Sequence, residues 1–280
     1  MARLSLVFAG TAAVALAAIL IATHRPEHPA AEPEQAQLQA APPACIAPAG
    51  LTRFSHPLPR LRDRVAHRAP ITIVAFGSSS TFGSGASSPA ATYPARLEAL
   101  LRERAAGAMP IAVMNRGVGG EEIREMLVRF DRDVIAPKPD LVLWQLGTNS
   151  VLHDHEISGN GTLLAGGLTL LKATGADVVL INPQYAPKVL AHPAVETMVE
   201  LISATAKAAD VELFDRFAVM KYWRETRDMP FAAFLSPDLL HMNDWGYDCL
   251  ARLLANDIAD AATRAPITAG MPAVPATAPR

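Results

Sequence analysis

Short apolar runs alternate with longer amphipathic segments through the middle of the chain. Five runs have the length of buried strands: residues 71–76, 111–114, 140–146, 177–182 and 211–214. In the longer segments alanine or leucine recurs at three- and four-residue intervals, the spacing of one helix face: residues 92–105, 121–134, 162–174, 195–209 and 244–262. This alternation is typical of βαβ units. It predicts an α/β fold, a three-layer sandwich around a mostly parallel five-stranded sheet.

The two ends of the chain lack this pattern. Residues 24 to about 50 and the C-terminal residues from about 265 are rich in proline and alanine and have no periodic apolar positions. Such composition predicts an extended tether and a disordered tail. We therefore divide the chain into an N-terminal segment (1–23), a tether and lead-in (24–68), one globular domain (69–263) and a tail (264–280).

The N-terminal segment carries an apolar stretch, residues 4–23, behind Met-Ala-Arg. This layout is typical of a secretory signal or an N-terminal membrane anchor. The Ala-x-Ala match at 15–17 is followed by a continuing apolar run, so cleavage and anchoring both stay open. In either case we expect export, with the domain periplasmic or tethered to the membrane outside the cytoplasm.

The chain has two cysteines, Cys45 and Cys249. An exported protein permits a disulfide, and a lone thiol has no evident packing role in the weakly patterned stretch around Cys45. We therefore predict that the two cysteines pair, joining the segment before the core to the last helix.

Charge narrows the class of partner. The formal net charge is −2, with no run of lysine or arginine, which gives no electrostatic reason to bind nucleic acid or an acidic surface. We expect a small-molecule or carbohydrate substrate.

A candidate nucleophile follows the first predicted strand. Residues 77–81, Gly-Ser-Ser-Ser-Thr, come directly after it, and the carboxyl ends of strands are where open α/β sheets place their chemistry. A serine nucleophile needs a base beside it and a group that orients the base. Ser79 would attack, His241 would accept its proton, and Asp238, three residues earlier, would orient the imidazole.

Donors for a developing oxyanion also have candidates. They are the backbone N–H of Ser79, a backbone N–H in the glycine-containing segment 115–120, and the side-chain amide of Asn149. Glycine suits the second role, because its backbone can approach a substrate without a side chain in the way. Within that segment we assign the role to Gly120.

Other interpretations of these segments stand beside the catalytic one. Residues 77–85 could cradle phosphate, but no Gly-Lys-Ser/Thr follows, and Thr81 stands where a Gly-x-Ser-x-Gly elbow needs glycine. Asp238 and His241 taken alone would be a solvated loop, and Asn149 and Gly120 could be turn residues. Residues 153–156, His-Asp-His-Glu, could hold a metal, although a polar surface loop is favoured because the helical His-x-x-x-His spacing is absent.

Taken together, the four segments resemble the SGNH (GDSL-type) hydrolase superfamily. Residues 77–81, 115–120, 147–149 and 238–241 match its blocks in order. The resemblance implies a flavodoxin-like sandwich, hydrolysis of esters or thioesters, and no metal or other cofactor. It places the family roles on five residues: Ser79, Gly120, Asn149, Asp238 and His241.

Two positions depart from the family pattern, which usually has aspartate at both. Ser78 precedes the nucleophile and Ser150 follows the third-block asparagine. We expect this loss of carboxylates to leave a less anionic mouth that tolerates acidic substrates. Our prediction is a serine esterase for short-chain, acetyl-type esters on an envelope carbohydrate. The alternatives are a lipid esterase, thioesterase or acyltransferase of the same fold, and a non-catalytic envelope binding protein.

Overall fold

In the computed structural model, which describes residues 43–153 and 157–264, the five predicted strands form one sheet. They are β1 (Ile71–Gly77), β2 (Ile111–Gly117), β3 (Leu141–Gln145), β4 (Asp177–Ile181) and β5 (Glu212–Phe214). All neighbouring pairs are parallel, in the order β2-β1-β3-β4-β5. This is the flavodoxin-like order, and its switch point lies between β1 and β3, where such sheets bind ligands at the carboxyl ends of the strands.

Helices cover both faces of the sheet. The α-helices of the described residues are α1 (Ala49–Thr52), α2 (Pro59–Ala66), α3 (Ser79–Phe82), α4 (Tyr93–Ala105), α5 (Ile123–Val128), α6 (Thr148–Leu152), α7 (Ser158–Thr174), α8 (Pro187–Leu190), α9 (Val195–Ala209), α10 (Arg216–Lys221) and α11 (Asp244–Thr263). Helices α2, α4 and α11 pack together on one face, and α5, α7 and α9 pack on the other. The predicted three-layer α/β/α sandwich is confirmed.

The central strands are buried along their whole length. Every residue of β3 and β4 is buried, which is why their sequences are nearly continuous apolar runs and not alternating ones. Phe76 on β1, Trp144 on β3 and Phe130 beyond α5 form an aromatic cluster with ring centroids 5.4–6.1 Å apart. This rigid centre supports the strand ends that carry the candidate chemistry.

Some element boundaries differ from those predicted. Strand β2 continues to Gly117 and not only to residue 114, because it stays in register with β1 until Gly117 pairs with Gly77. The helix predicted over 121–134 is interrupted: α5 ends at Val128, and a π-helical turn follows at Asp131–Ile135. Helix α10 lies where no helix was predicted.

The packed region begins before the predicted boundary at residue 69. Within the lead-in, Phe54, Leu58 and Leu61 are buried in the core. A disulfide joins Cys45 to Cys249 on α11. The described part of the lead-in, residues 43–68, is therefore an integral piece of the domain, because its apolar side chains are in the core and α2 packs against α11.

Several predictions lie outside the described residues. These are the signal or anchor at 1–23, the tether up to residue 42 and the tail from residue 265. Within the described ranges, no helix has both the length and the apolar character needed to cross a bilayer.

Candidate active site

The structure brings the three predicted catalytic side chains together at the carboxyl end of β1. Ser79 is the first residue of α3, and its Oγ lies 2.8 Å from Nε2 of His241. Nδ1 of the same imidazole lies 2.5 Å from Oδ2 of Asp238. A hydroxyl, an imidazole and a carboxylate are thus connected in one line of hydrogen bonds, the geometry of a serine nucleophile with its base and orienting group.

The loop that carries the base is shaped by the same carboxylate that orients it. Oδ1 of Asp238 accepts the backbone N–H groups of Leu240 and His241, each at 2.9 Å, and the hydroxyl of Ser236 at 2.7 Å. Leu239 between them adopts a left-handed conformation with φ of 58°. One oxygen of Asp238 therefore folds the loop while the other holds the ring.

These bonds also set the ionisation of Asp238. Partial burial by itself would raise the pKa of the carboxyl, but the hydrogen bonds from Ser236, from the His241 ring and from the two backbone N–H groups outweigh it. The pKa of Asp238 is held well below its usual value. The carboxylate is therefore charged at neutral pH and can stabilise a protonated imidazole.

The three predicted oxyanion donors lie around the nucleophile loop. The Ser79 N–H, at the first position of α3, has no acceptor within the described part of the chain. Asn149 on α6 is buried, and its Nδ2 donates to the carbonyl of Glu121 at 2.7 Å. An amide nitrogen carries two hydrogens, so one N–H anchors Asn149 to the residue after the second block and the other is left for a ligand. Gly120, next to Glu121, has φ of 80°, which glycine adopts without strain.

A buried arginine, Arg129, ties the first two blocks together. Its guanidinium donates to the Gly77 carbonyl at 3.1 Å and to the Arg116 carbonyl at 2.9 Å. It also pairs with the carboxylates of Glu121 at 2.6 Å and Asp133 at 2.9 Å. The backbone just before the nucleophile and the loop bearing Gly120 are thus attached to one side chain.

The strand end at Ser78 is held by Gln145, the last residue of β3. Oε1 of Gln145 accepts the Ser78 N–H at 2.9 Å, the Ser78 hydroxyl at 3.1 Å and the Thr81 hydroxyl at 3.2 Å. An ionised aspartate at position 78 has no proton to donate to this oxygen. The serine that replaces the family's aspartate at position 78 is therefore compatible with the acceptor oxygen of Gln145 beside it.

At position 150, the second place where serine replaces the family's aspartate, a carboxylate is supplied by the neighbouring Glu122. The Ser150 hydroxyl donates to Oε2 of Glu122 at 3.1 Å, and Nδ1 of His153 lies 2.8 Å from Oε1 of the same carboxylate. An aspartate at 150 would face Glu122 directly. Glu122 therefore places a carboxylate at this loop, and the expected less anionic site stays a prediction.

A second buried arginine, Arg216 on α10, supports the later blocks. It donates to the Asn182 carbonyl at 3.0 Å and to Oε1 of Gln184 at 2.8 Å. Gln184 in turn accepts the Thr148 hydroxyl at 2.9 Å and donates to the Leu240 carbonyl at 3.2 Å. The helix with Asn149 and the loop with His241 are therefore connected through a single amide.

The segment considered as a metal site does not gather ligands in the part that can be described. His153 lies beside Glu122, and residues 154–156 fall outside the described ranges. Within those ranges no group of three or more His, Cys, Asp or Glu side chains is placed to hold a metal ion.

Sequence reasoning missed the residues behind the site. Arg129, Glu121, Gln145, Gln184 and Arg216 lie in no family block that we used. Only Arg129 has a local signal, the four-residue spacing to Asp133 that allows an ion pair on a helix. The others meet through the fold, so no sequence spacing identifies them.

The parallel sheet, the four blocks along its carboxyl edge and the connected Ser79, His241 and Asp238 together define an SGNH-type hydrolase. A family model covering residues 44–264 matches the chain. The chain belongs to the non-GDSL lipase-like family.

Known proteins resemble this chain in part or in fold. An acetylxylan esterase from Geobacillus stearothermophilus is 38% identical over 47 residues, which is 17% of this chain and 22% of that protein. The chain therefore aligns with only about a fifth of that relative.

Three solved structures share the fold. The structure of an acetylxylan esterase from Geobacillus stearothermophilus matches with a TM-score of 0.56 and 22% identity, covering 67% of this chain and 94% of that chain. A two-domain esterase active on acetylated mannans matches with a TM-score of 0.66 and 18% identity, covering 81% of this chain and 60% of that chain. A lipase/acylhydrolase from Enterococcus faecalis matches with a TM-score of 0.54 and 25% identity, covering 67% of this chain and 95% of that chain.

Proposed function

We propose that this protein is a serine esterase that removes acetyl or similarly short acyl groups from carbohydrate, through an acyl-serine intermediate. The observation that carries the proposal is the pair of contacts from one imidazole, 2.8 Å to Ser79 Oγ and 2.5 Å to Asp238 Oδ2. A serine held this way can lose its proton to the imidazole as it attacks a carbonyl.

The first half of the reaction forms the acyl-enzyme. Ser79 Oγ attacks the ester carbonyl carbon, and its proton passes to Nε2 of His241. The Asp238 carboxylate stabilises the resulting imidazolium through Nδ1. The carbonyl oxygen becomes an oxyanion and accepts hydrogen bonds from the Ser79 and Gly120 N–H groups and from the second amide hydrogen of Asn149.

The second half regenerates the enzyme. The tetrahedral intermediate collapses, the C–O bond to the alcohol breaks, and His241 returns the proton to the departing oxygen. Water then loses a proton to the same imidazole as it attacks the acyl carbon, and the acid leaves with Ser79 restored.

The carbohydrate acetyl ester is supported by the similarity of the chain to an acetylxylan esterase and to an esterase active on acetylated mannans. The geometry is compatible with a bulky alcohol, because 40% of the Asp238 side chain is exposed and the site therefore lies at the surface. We extend the proposal to an exported enzyme acting outside the cytoplasm, supported by the apolar residues 4–23 and by the Cys45–Cys249 disulfide. An envelope polysaccharide as the natural substrate stays a prediction.

The test compares the full chain with Ser79→Ala on p-nitrophenyl acetate and on acetylated xylo- and manno-oligosaccharides. We expect kcat to fall at least about 10³-fold, and a fluorophosphonate probe to label Ser79 in the unmodified protein, as located by mass mapping. Ser84→Ala, a serine at the far end of the same turn, is the control and should keep both turnover and labelling.

Other outcomes favour the alternatives. Full activity in Ser79→Ala, or labelling at another residue, would overturn the assignment. Preference for long acyl chains would point to a lipid esterase, and acyl transfer to an added sugar would point to a transferase. No turnover and no labelling in a folded protein would favour a binding protein.

A further inference from the structure

A groove runs beside the nucleophile helix, along the edge strand of the sheet. Its volume is about 730 Å³, within the range of about 300–1,000 Å³ found for small-ligand sites. Its walls are the segment between α3 and α4, the first half of α4, and the face of β2 that carries residues 113, 115 and 117. Because β2 is at the edge of the sheet, the groove is open to solvent at the side.

The groove begins at Phe82, three residues after the candidate nucleophile Ser79 on α3. Phe82 and Gly83 line it, and the Gly83 N–H donates to the Ser79 carbonyl at 2.9 Å. On the other wall lie Asn115 and Gly117 of the second block. The strand end and the helix meet so closely that a Cβ at Gly117 would lie 2.0 Å from the Phe82 nitrogen. The end of the helix that carries Ser79 and the second block thus form one end of the groove.

An exposed aromatic ring lies at this end. Phe82 is 61% exposed, the most exposed aromatic side chain among the described large hydrophobic residues. It follows Ser79 by three positions in one helix, a spacing that places two side chains on the same face. A solvent-exposed phenyl ring next to a nucleophile has no role in the core, and it offers a flat apolar surface to the C–H face of a sugar ring.

The rest of the lining mixes apolar and neutral polar side chains and lacks positive charge. It contains hydroxyl and amide groups from Ser87, Ser88, Thr92 and Asn115, and none of the lining residues is basic. The one carboxylate, Glu98, is already used, with Oε2 accepting the Val113 N–H at 2.7 Å and Oε1 paired with Arg102 at 3.0 Å. An anionic ligand would find no cation among the lining residues. The Ser87 and Thr92 hydroxyls donate to Asp244 and to the Pro89 carbonyl, so their oxygens can still accept hydrogen bonds from a neutral polyhydroxyl chain.

We propose that this groove binds the neutral sugar chain that adjoins the acetylated residue, with Phe82 as its stacking surface. The inference rests on the proposed esterase function and names its substrate class: acetylated neutral oligosaccharides several residues long, in preference to acetylated glycans rich in uronic acids. Specificity for the chain then comes from Phe82 and the α3–α4 segment, apart from the groups that break the ester bond.

The experiment measures kcat and KM for the full chain on p-nitrophenyl acetate and on acetylated xylo-oligosaccharides of increasing length. In the unmodified protein, kcat/KM should rise with chain length. In Phe82→Ala, KM for the longer oligosaccharides should rise about fivefold, since stacking contacts are typically worth about 1 kcal/mol. The ratio of oligosaccharide to p-nitrophenyl acetate activity should therefore fall.

A control separates this effect from the loss of any exposed apolar side chain. Leu170 on α7 is 49% exposed and lies outside the groove. Leu170→Ala should leave the length dependence and the ratio as they are. A second arm compares neutral acetylated xylo-oligosaccharides with acetylated oligogalacturonides, and the neutral series should have the lower KM.

Binding is measured independently of turnover by calorimetric titration with the acetylated xylo-oligosaccharides. The two proteins titrated are Ser79→Ala and the double variant Ser79→Ala with Phe82→Ala. Weaker binding in the double variant supports the groove. If esters are hydrolysed but Phe82→Ala changes neither ratio nor binding, the groove assignment is wrong while the esterase stands. Equal or lower KM for the oligogalacturonides would overturn the neutral class. If no ester is hydrolysed, the proposed function fails, and only the titration then decides whether the groove binds sugar.

Discussion

Two buried arginines support the two halves of the candidate site in opposite ways. Arg129, behind the first and second blocks, pairs with Glu121 and Asp133. Arg216, behind the third and fourth blocks, is 1% exposed, has no carboxylate partner among the described residues, and leaves Nη1 without a hydrogen-bond partner there. Burial lowers the pKa of Arg216 to about 10.

The difference separates two functions of a buried charge. A guanidinium surrounded by carboxylates and carbonyls balances their charge, so removing it leaves those groups uncompensated. A guanidinium that bonds only neutral groups balances no charge, and its burial costs free energy. Arg129 should therefore matter most for the stability of the fold, and Arg216 for the placement of Gln184 and the loop it holds.

The largest expected effect is on stability, in Arg129→Met. The change leaves Glu121 and Asp133 without their partner and the Gly77 and Arg116 carbonyls without a donor. We expect the free energy of unfolding to fall by about 3–5 kcal/mol, as measured by urea denaturation.

The matched control is Arg132→Met. Arg132 also pairs with Asp133, but its side chain is 75% exposed, so its loss should cost no more than about 1 kcal/mol. Equal losses of unfolding free energy in the two variants would show that the burial of Arg129 does not matter. The contrast drawn between Arg129 and Arg216 would then fail.

A smaller effect on stability, and a larger one on turnover, is expected for Arg216→Met. The variant loses hydrogen bonds, but removing an unbalanced buried charge offsets much of that loss. We therefore expect the free energy of unfolding to fall by about 1–2 kcal/mol. Because Gln184 loses one of its bonds, we expect kcat on p-nitrophenyl acetate to fall about tenfold with KM little changed. Arg216→Lys, which keeps a charge but has no planar fork, should give an intermediate kcat. A loss of stability as large as in Arg129→Met, with kcat unchanged, would show that Arg216 stabilises the fold and does not position the catalytic loop.

The smallest effect is a response to acid confined to the Arg129 side. The hydrogen bond from Arg132, and then that from Arg129, outweigh burial and lower the pKa of Asp133 from 3.8 to about 2. A lowered folded-state pKa stabilises the fold above the unfolded value, and this stabilisation is lost as the pH falls through the folded value.

We therefore expect Asp133 to contribute about 1 kcal/mol above pH 4, declining towards pH 2. Chemical denaturation between pH 2 and pH 5 should show a shallower decline in Asp133→Asn than in the unmodified protein. Identical slopes in the two proteins would remove Asp133 from the acid response.

The sequence predicted the strands and the candidate catalytic side chains of the last block for the same reason. Both are encoded locally: β3 is one apolar run, and Asp238 and His241 are three residues apart on one loop. The family blocks, and no local spacing, connect Ser79 and Asn149 to this loop. Helix α10 was missed because its short apolar segment follows β5 at once and has no independent periodicity.

The supporting residues could not be predicted in this way. Gln184 meets Thr148 and Leu240 across 36 and 56 residues, and such separations leave no pattern in the chain. The early start of the domain was missed for a compositional reason. The segment around Cys45 is rich in proline and alanine, and only contact with α11 shows that the apolar residues that follow it are buried.

The disulfide that joins this segment to α11 connects residues 204 positions apart. In the chain-entropy description, a link that closes so long a loop disfavours the unfolded chain by of order 5 kcal/mol. It also imposes an order in time. A chain is made from its N-terminal end, and Cys249 follows all five strands. The disulfide therefore cannot form until the whole sheet has been synthesised.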